Sequence, residues 1–496
     1  MNLIEPLLRY AEHQPDHIAL TDGEESRTYW SLVQRMTTIA QGIRQNGLHH
    51  DKIAILSANR IEFVEVFLGA IYAGCVPIPL DPKWSINQVN AVLQQCQPKM
   101  IFAETHLAKI LDLQDTAIQL LTFSDQDMGS GSYDSWLLTL KPEAEMDESN
   151  ELLFIGFTSG TTGTPKGYMR THLSWIQSFE ATKEAFLLNR IEHMLAPGPF
   201  VHSLSLFAVM QSLYSGATFH IVKEFDAGKV LQLCKQNPDV ILFVVPTMIE
   251  ALLQQKDKFG QTQIQALISS GGKWSERSKN RCREIFGTAK LYEFYGSSEA
   301  SYISYLDVHA DNKPDSVGKP FSGVQISIRD EHLQEVTPGG IGQLYIRSDM
   351  MFTGYYHLPE ETSAVFRDGW LIIGDFMYMD QDGYLYLAGR SKNMMVSGGL
   401  NVFPEEVESV LQQMPEIQEV MVLGVQDAYW GEQVTALVKW SGQTRLSVEQ
   451  IKDYCCRQIA NYKAPKQLIT VEQFIYTSSG KIARQAMKDY AKRWML

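Results

Sequence analysis

ELLFIGFTSGTTGTPKG (151–167) joins an apolar run to a segment made of glycine, hydroxyl residues and one lysine. The apolar part, 151–157, has the length and composition of a buried strand. In the part that follows, Gly160, Gly163 and Gly167 let backbone N–H groups approach an anion closely. Thr158, Ser159, Thr161 and Thr162 offer hydroxyl donors, and Lys166 adds a positive charge. The segment therefore reads as an oxyanion cradle. It is not the Walker P-loop, because Lys166 stands between Pro165 and Gly167 with no Ser or Thr after it.

On either side of this segment, up to about residue 385, short apolar runs alternate with amphipathic helical stretches. KIAILSA (52–58), CVPIPLD (75–81), KMIFAET (99–105), TFHIVKE (218–224), DVILFVVP (239–246) and IQALISSGG (264–272) read as strands. Ile61–Tyr72 and Ala227–Gln236 read as helices. Such alternation predicts α/β layers with largely parallel sheets. Between 318 and 386 the runs QISIRD, GQLYIRS and YLYLAGR, separated by Gly and Asp turns, predict a smaller β-rich lobe. After Gly389-Arg390 the pattern changes again. Pro404 suits a first helical turn, with Glu405 and Glu406 at the positive end of the dipole. Two strands and a helix over 448–459 follow. The expected architecture is a large N-terminal α/β domain, 1–390, with layered sheets and a β-rich lobe, followed by a small mobile α+β domain, 391–496.

The chain has 496 residues, too many for one compact core, and a net charge of −14. That field repels phosphodiester backbones, which argues against nucleic-acid binding, but it tolerates a local basic pocket for a small anion. The N-terminus lacks the apolar core of a secretory signal, and no run is long enough to span a bilayer. The six cysteines, Cys75, Cys96, Cys234, Cys282, Cys455 and Cys456, show neither CxxC nor metal-site spacing. They are expected to be reduced, buried thiols in a cytoplasmic protein.

Four further segments follow the first in a fixed order: YGSSE (295–299), GD (374–375), GRSKNMMVSGGLNVFPEEVE (389–408) and SSGKIAR (478–484). With TSGTTGTPKG (158–167) they resemble the ordered motifs of the adenylate-forming superfamily over nearly the whole chain. That superfamily comprises acyl-CoA synthetases, peptide-synthetase adenylation domains and firefly-type luciferases; the chain looks most like the bacterial fatty-acyl-CoA ligases. The resemblance implies an enzyme that uses ATP and Mg²⁺ to adenylate a carboxylic acid and then passes the acyl group to a thiol.

Residue by residue, the resemblance implies that Thr158, Ser159, Gly160, Thr161, Thr162, Gly163 and Lys166 hold the phosphates. Glu299, a hard oxygen donor suited to Mg²⁺, and Thr162 are the implied metal ligands. Gly271, Gly272, Tyr295, Gly296 and Ser298 would line the nucleotide site; family members often carry Thr in place of Ser298. Asp375 would accept hydrogen bonds from the ribose hydroxyls and Arg390 would reach the ribose or phosphates. By itself Asp375 reads as a turn or cap residue, and Ile373 departs from the Thr that commonly precedes Gly-Asp. Lys481 would bridge the acid's carboxylate and the α-phosphate. Lys392 matches the hinge about which the small domain rotates, with a plain linker as the alternative. The rotated pose would bring Ser397, Gly398 and Gly399 to the site.

The acid site is expected from 199–210, 269–275 and 295–304, with His202, Ser203, Leu206 and Ser297 as contacts. His202 reads either as a gate between acid and thiol sites or as a core or cap histidine. FVHS lacks the aspartate that pairs an amino group in the peptide-synthetase branch, which disfavours an α-amino acid. Leu204, Leu206, Phe207 and Ala208 make an apolar wall, so a medium- to long-chain fatty acid fits best. Lys273 leaves a dicarboxylic or aromatic acid open. The sequence ends some 15 residues past Lys481 without a carrier domain. Free coenzyme A is therefore the expected acceptor, with a separate acyl-carrier protein as the alternative and a catalytically silent scaffold as the reading from another class. A monomer or a homodimer is expected.

Overall fold

The computed structural model describes residues 2–111, 113, 118–123, 131–141, 150–158, 165–272, 274–427, 429–477 and 480–493. Among these the largest sheet has nine strands, and its six consecutive strands from Lys290–Ser297 through Ala266–Ser269, Val240–Val244, His193–Leu195 and Thr218–His220 to Ile18–Thr21 run parallel. A second sheet, Val76–Leu80, Lys52–Leu56, Met100–Glu104 and Gln119–Phe123, is parallel throughout. The alternating pattern thus gives the expected α/β layers. The run TFHIVKE yields only the three-residue strand Thr218–His220.

The strand that opens the oxyanion segment lies in neither parallel sheet. Leu152–Thr158 pairs antiparallel with Lys166–Thr171, and Gly354–Tyr355 adds a third strand beside the latter. The reason is chain length. A short connection can join antiparallel neighbours, whereas a parallel return needs a crossover of about a dozen residues or more. Residues 159–164, including the predicted Ser159, Gly160, Thr161, Thr162 and Gly163, lie outside the described residues, as do Lys273, Ser478 and Ser479.

The β-rich lobe is an antiparallel sheet built on Gly342–Arg347, Asp375–Met379 and Leu385–Arg390. The chain then passes within 391–394 to another sheet, formed by Leu400–Val402, Met395–Ser397, Gly431–Trp440 and Ile417–Asp427, with Gln467–Thr470 parallel to Gly431–Trp440. The helix Pro404–Leu411, with its proline at the first position, and the helix Val448–Cys456 cover this sheet. Val407, Leu411, Val422, Val434, Val438 and Ile451 make a core of its own there.

None of the six cysteines is in a disulfide among the described residues; all but Cys456, which is half-buried, are buried. Burial pushes the thiols of Cys96, Cys234, Cys282 and Cys455 up to about 12, so they are inert at neutral pH. No helix among the described residues is long and apolar enough to cross a membrane.

One buried ionic knot ties the strand Ser26–Thr28, at the edge of the nine-stranded sheet, to the helix Ile61–Tyr72 that links two strands of the second sheet. Glu65, fully buried in the apolar helix Ile61–Tyr72, accepts from Arg27 Nε at 2.6 Å and from Tyr133 OH at 2.6 Å. Removing the carboxylate strands both donors. Glu65→Ala is expected to cost about 3–5 kcal/mol, seen as a lower urea midpoint for the transition that includes the N-terminal strands.

Candidate functional site

The strand Lys166–Thr171 lays alternate side chains on one face. Lys166 forms an ion pair with Glu361 of the short helix Pro359–Val365, and its ammonium lies 6.0 Å from the ring centre of Tyr355. Tyr168 comes next, its hydroxyl 2.6 Å from Ser203 Oγ, and Arg170 follows, buried beneath the 298–299 turn. Thr158 faces Lys166 across the mouth of the hairpin.

YGSSE sits where the strand Lys290–Ser297 turns back into Ser301–Asp307. The pairing slips by one residue between Tyr295 and Gly296, and a Cβ on Gly296 would run into the Ser301 carbonyl. Only glycine fits so close an approach. Ser297 Oγ accepts from Ala300 N at 3.0 Å, closing the turn, and Ser298 Oγ lies 3.4 Å from Ser203 Oγ. Glu299 is held at both ends. Its carbonyl accepts from Phe352 N at 2.7 Å, and its Oε1 accepts from Tyr355 OH at 2.9 Å. Burial first, then the Glu299 charge, pushes the Tyr355 phenol far up, so it stays a donor.

Magnesium is usually held by one or two carboxylates together with substrate phosphates. Glu299 fits that role, since its Oε2 has no hydrogen-bond partner among the described residues. No cluster of three or more metal-ligating side chains exists among them either.

Asp375 is buried at the start of a strand, which removes the turn or cap reading. One carboxylate oxygen lies 3.1 Å from Arg390 Nε, directly across the sheet, and the other accepts from the Tyr295 hydroxyl. Burial raises its pKa, with Arg390 and Tyr295 acting against that rise. Ile373, the departure from the family pattern, packs against the large core.

Lys481 belongs to the C-terminal sheet region yet reaches the large unit. The preceding Gly480, at φ +77°, accepts from Thr247 Oγ1 at 3.3 Å, and Lys481 Cε lies 3.6 Å from where a Cβ on Gly271 would stand. Gly272 lies beside it, against Pro246. Arg390, Lys392, Glu299 and Asp375 all act on the Lys481 ammonium. Burial, then Arg390 and Lys392, bring its pKa down to about 8. The residue keeps much of its surface exposed, so water screens part of this effect and the neighbouring cations sustain the direction. Lys392 is likewise lowered, by burial and by Arg390.

His202 precedes the helix Ser203–Tyr214 but makes no capping bond, and it is not a core residue. Its Nε2 lies 3.8 Å from the buried Asp81 Oδ2, and its pKa is lowered by burial, with Asp81 opposing and Lys481 adding to the fall. Leu206 is buried one turn on, beside Phe207, whose ring packs on Trp175, Phe179 and Tyr302. Gly398 and Gly399 form the exposed turn between two small strands, at φ +61° and +79°. Gly398 N donates to Trp430 O at 2.9 Å within the same unit. The structure thus gathers Lys481, Lys392, Arg390, Asp375, Glu299 and Gly271, while the 397–399 turn keeps partners of its own unit. Sequence reasoning missed Asp81, Tyr168, Arg170, Tyr355 and Glu361. Only Tyr168 and Arg170 carried a signal, the period-two spacing from Lys166.

The family model for AMP-binding enzymes matches residues 7–356, and that for the AMP-binding enzyme C-terminal domain matches 406–481. The chain belongs to the AMP-binding enzyme family. The uncharacterized acyl-CoA ligase YhfT of Bacillus subtilis is 33% identical over 97% of this chain and 96% of its own. The putative long chain fatty acid-CoA ligase VraA of Staphylococcus aureus is 30% identical over 98% of both chains. The ATP-bound crystal structure of MatB from Rhodopseudomonas palustris superposes with a TM-score of 0.88, at 26% identity and 99% coverage of both chains.

A lowered amine pKa means that the docked, ligand-free cleft disfavours the ammonium, so this pose gains stability as pH rises from about 8 towards 10.5. Reductive methylation of the nucleotide-free protein, followed by peptide mass spectrometry, is expected to place the reactivity midpoint of Lys481 below that of surface lysines. A midpoint at the ordinary 10.5 would show that the amine does not rest among Arg390 and Lys392.

Proposed function

We propose that this chain is an ATP-dependent acid–thiol ligase that forms an acyl-adenylate and then a coenzyme A thioester, with the residues above in the roles that follow. The observation that carries the reading is the meeting of Lys481 with Arg390, Lys392, Asp375 and Glu299 at Gly271. In the first step a carboxylate oxygen attacks the α-phosphorus of ATP and pyrophosphate leaves. Two anions must approach one another, and a preorganised cation between them offsets their repulsion where charge develops. Lys481 does this. Arg390 and Asp375 hold the ribose end, and Lys166 exchanges Glu361 for the outer phosphates. Magnesium, held by Glu299 and the phosphates with Thr162 as a second candidate, would neutralise charge there.

In the second step the thiolate of coenzyme A attacks the acyl carbon and AMP leaves with its electron pair. We assign Lys392 to the hinge: it lies in the four residues between two sheets, and a polar junction of this kind absorbs backbone change readily. Rotation there withdraws Lys481 and presents the 397–399 turn. On this reading 1–390 is the nucleotide- and acid-binding domain and 391–496 the one that carries Lys481. His202, oriented by Asp81, stands between acid and thiol. An aliphatic fatty acid is supported by the apolar wall of Leu206 and Phe207 and by the name of VraA. Cysteines that are mostly buried and outside any disulfide support a cytoplasmic location.

Pyrophosphate and AMP release from purified protein, measured over a panel of short- to long-chain, dicarboxylic and aromatic acids with and without coenzyme A, tests the activity. Thioester formation with an aliphatic acid is expected. Pyrophosphate without a thioester would point to another acceptor. Lys481→Ala should lower acyl-adenylate formation by about 10²–10³ while sparing thioester formation from supplied acyl-adenylate. Equal loss of both steps would remove the assigned role. Lys392→Pro is expected to block one half-reaction only; unchanged overall turnover would exclude the hinge.

A further inference from the structure

Arg170, like Tyr168 on the same face of Lys166–Thr171, is given no task by the proposed chemistry. Its guanidinium is buried, and no carboxylate among the described residues lies within ion-pair distance of it. The Glu299 charge acts on it only from beyond ion-pair distance; burying a cation without a direct counter-ion is costly, and an apolar residue would fill the same volume more cheaply. Its donors go instead to Ser174 Oγ at 3.2 Å, to the Ser298 carbonyl at 3.0 Å and to the Met350 carbonyl at 2.7 Å.

Two of these acceptors bracket Glu299. The Ser298 carbonyl belongs to the peptide that links Ser298 to Glu299. Met350 lies two residues before Phe352, whose N–H donates to the Glu299 carbonyl. A planar fork can hold two carbonyls from separate segments at once, which a point charge such as an ammonium cannot do with the same geometry. From the other side, Tyr168 and Ser203 form a chain of hydroxyls ending at Ser298 Oγ. The backbone around Glu299 is therefore gripped from below by a residue that does not touch the open cleft.

We propose that Arg170 is a positioning residue that sets the Glu299 carboxylate by clamping the Ser298 and Met350 carbonyls. The inference rests on the reading of Glu299 given above. Loss of such a supporting contact commonly costs about 10- to 100-fold in metal affinity or activity.

The test compares Arg170→Met, Arg170→Lys, Glu299→Gln and the double variant Arg170→Met/Glu299→Gln in the full chain. Single-turnover pyrophosphate release, Mn²⁺ affinity of the ATP complex by electron paramagnetic resonance, and thermal melting are read for each. Arg170→Met is expected to lower adenylation and Mn²⁺ affinity by about 10- to 100-fold, yet to change either by less than about twofold once Glu299→Gln is present. Arg170→Lys keeps the charge, serves as the folded control if the methionine variant melts, and should show an intermediate loss of Mn²⁺ affinity. Losses that multiply in the double variant, or unchanged Mn²⁺ affinity in folded Arg170→Lys, would overturn the inference. Wild-type adenylation by Glu299→Gln would instead strike down the reading of Glu299 itself.

Discussion

Like charges must be held close together in this molecule without a ligand to neutralise them. Lys481, Arg390 and Lys392 are brought together with Glu299, Asp375 and Glu405. Arg390, Lys166 and Lys481 are anchored separately. Arg390 is tied to Asp375 across a sheet, Lys166 is paired with Glu361, and Lys481 is carried in on the Gly480 contact with Thr247. On the proposed reading, ATP and a carboxylate bring their negative charge to this group of cations. The overall net charge of −14 plays no part in this local field beyond keeping large polyanions away.

On the proposed reading, delivering one cation from a separate unit gives the site a way to change its chemistry. A lysine fixed in the large unit would remain beside the adenylate and occupy the space a thiol needs. Lys481 instead rides on a unit with its own core and sheet, joined to the rest through 391–394. On the proposed reading, the docking that brings Lys481 in lowers its pKa, and anionic ligands in the site would favour the docked pose. Ligand charge and domain position are thereby linked.

Much of this was legible in the sequence, for identifiable reasons. Ile61–Tyr72 and Ala227–Gln236 show as helices because their apolar spacing is unbroken, and Pro404 marks a first turn because only that position tolerates it. The pairing of Leu152–Thr158 was not legible, because an apolar strand reads the same whether its neighbour runs parallel or antiparallel. Nor was the loss of the 221–224 end of TFHIVKE, where the ladder of partners stops at His220. Within the site, Glu299, Asp375 and Lys481 stood out by family resemblance. Asp81, Tyr355 and Glu361 are long-range partners, brought in by folding from positions with no spacing signal. Arg170 lies between these cases: two residues from Tyr168 and four from Lys166, it shares their face.

The most direct test of a site assembled from two units is to fix them together. With cysteines at Thr247 and Gly480, whose hydroxyl and carbonyl lie 3.3 Å apart, oxidation should tether the C-terminal unit in the pose described. Single-turnover assays of the tethered protein are expected to show acyl-adenylate formation continuing while thioester formation from that adenylate stops, and reduction should restore it. Thioester formation at the full rate in the tethered protein would contradict the account.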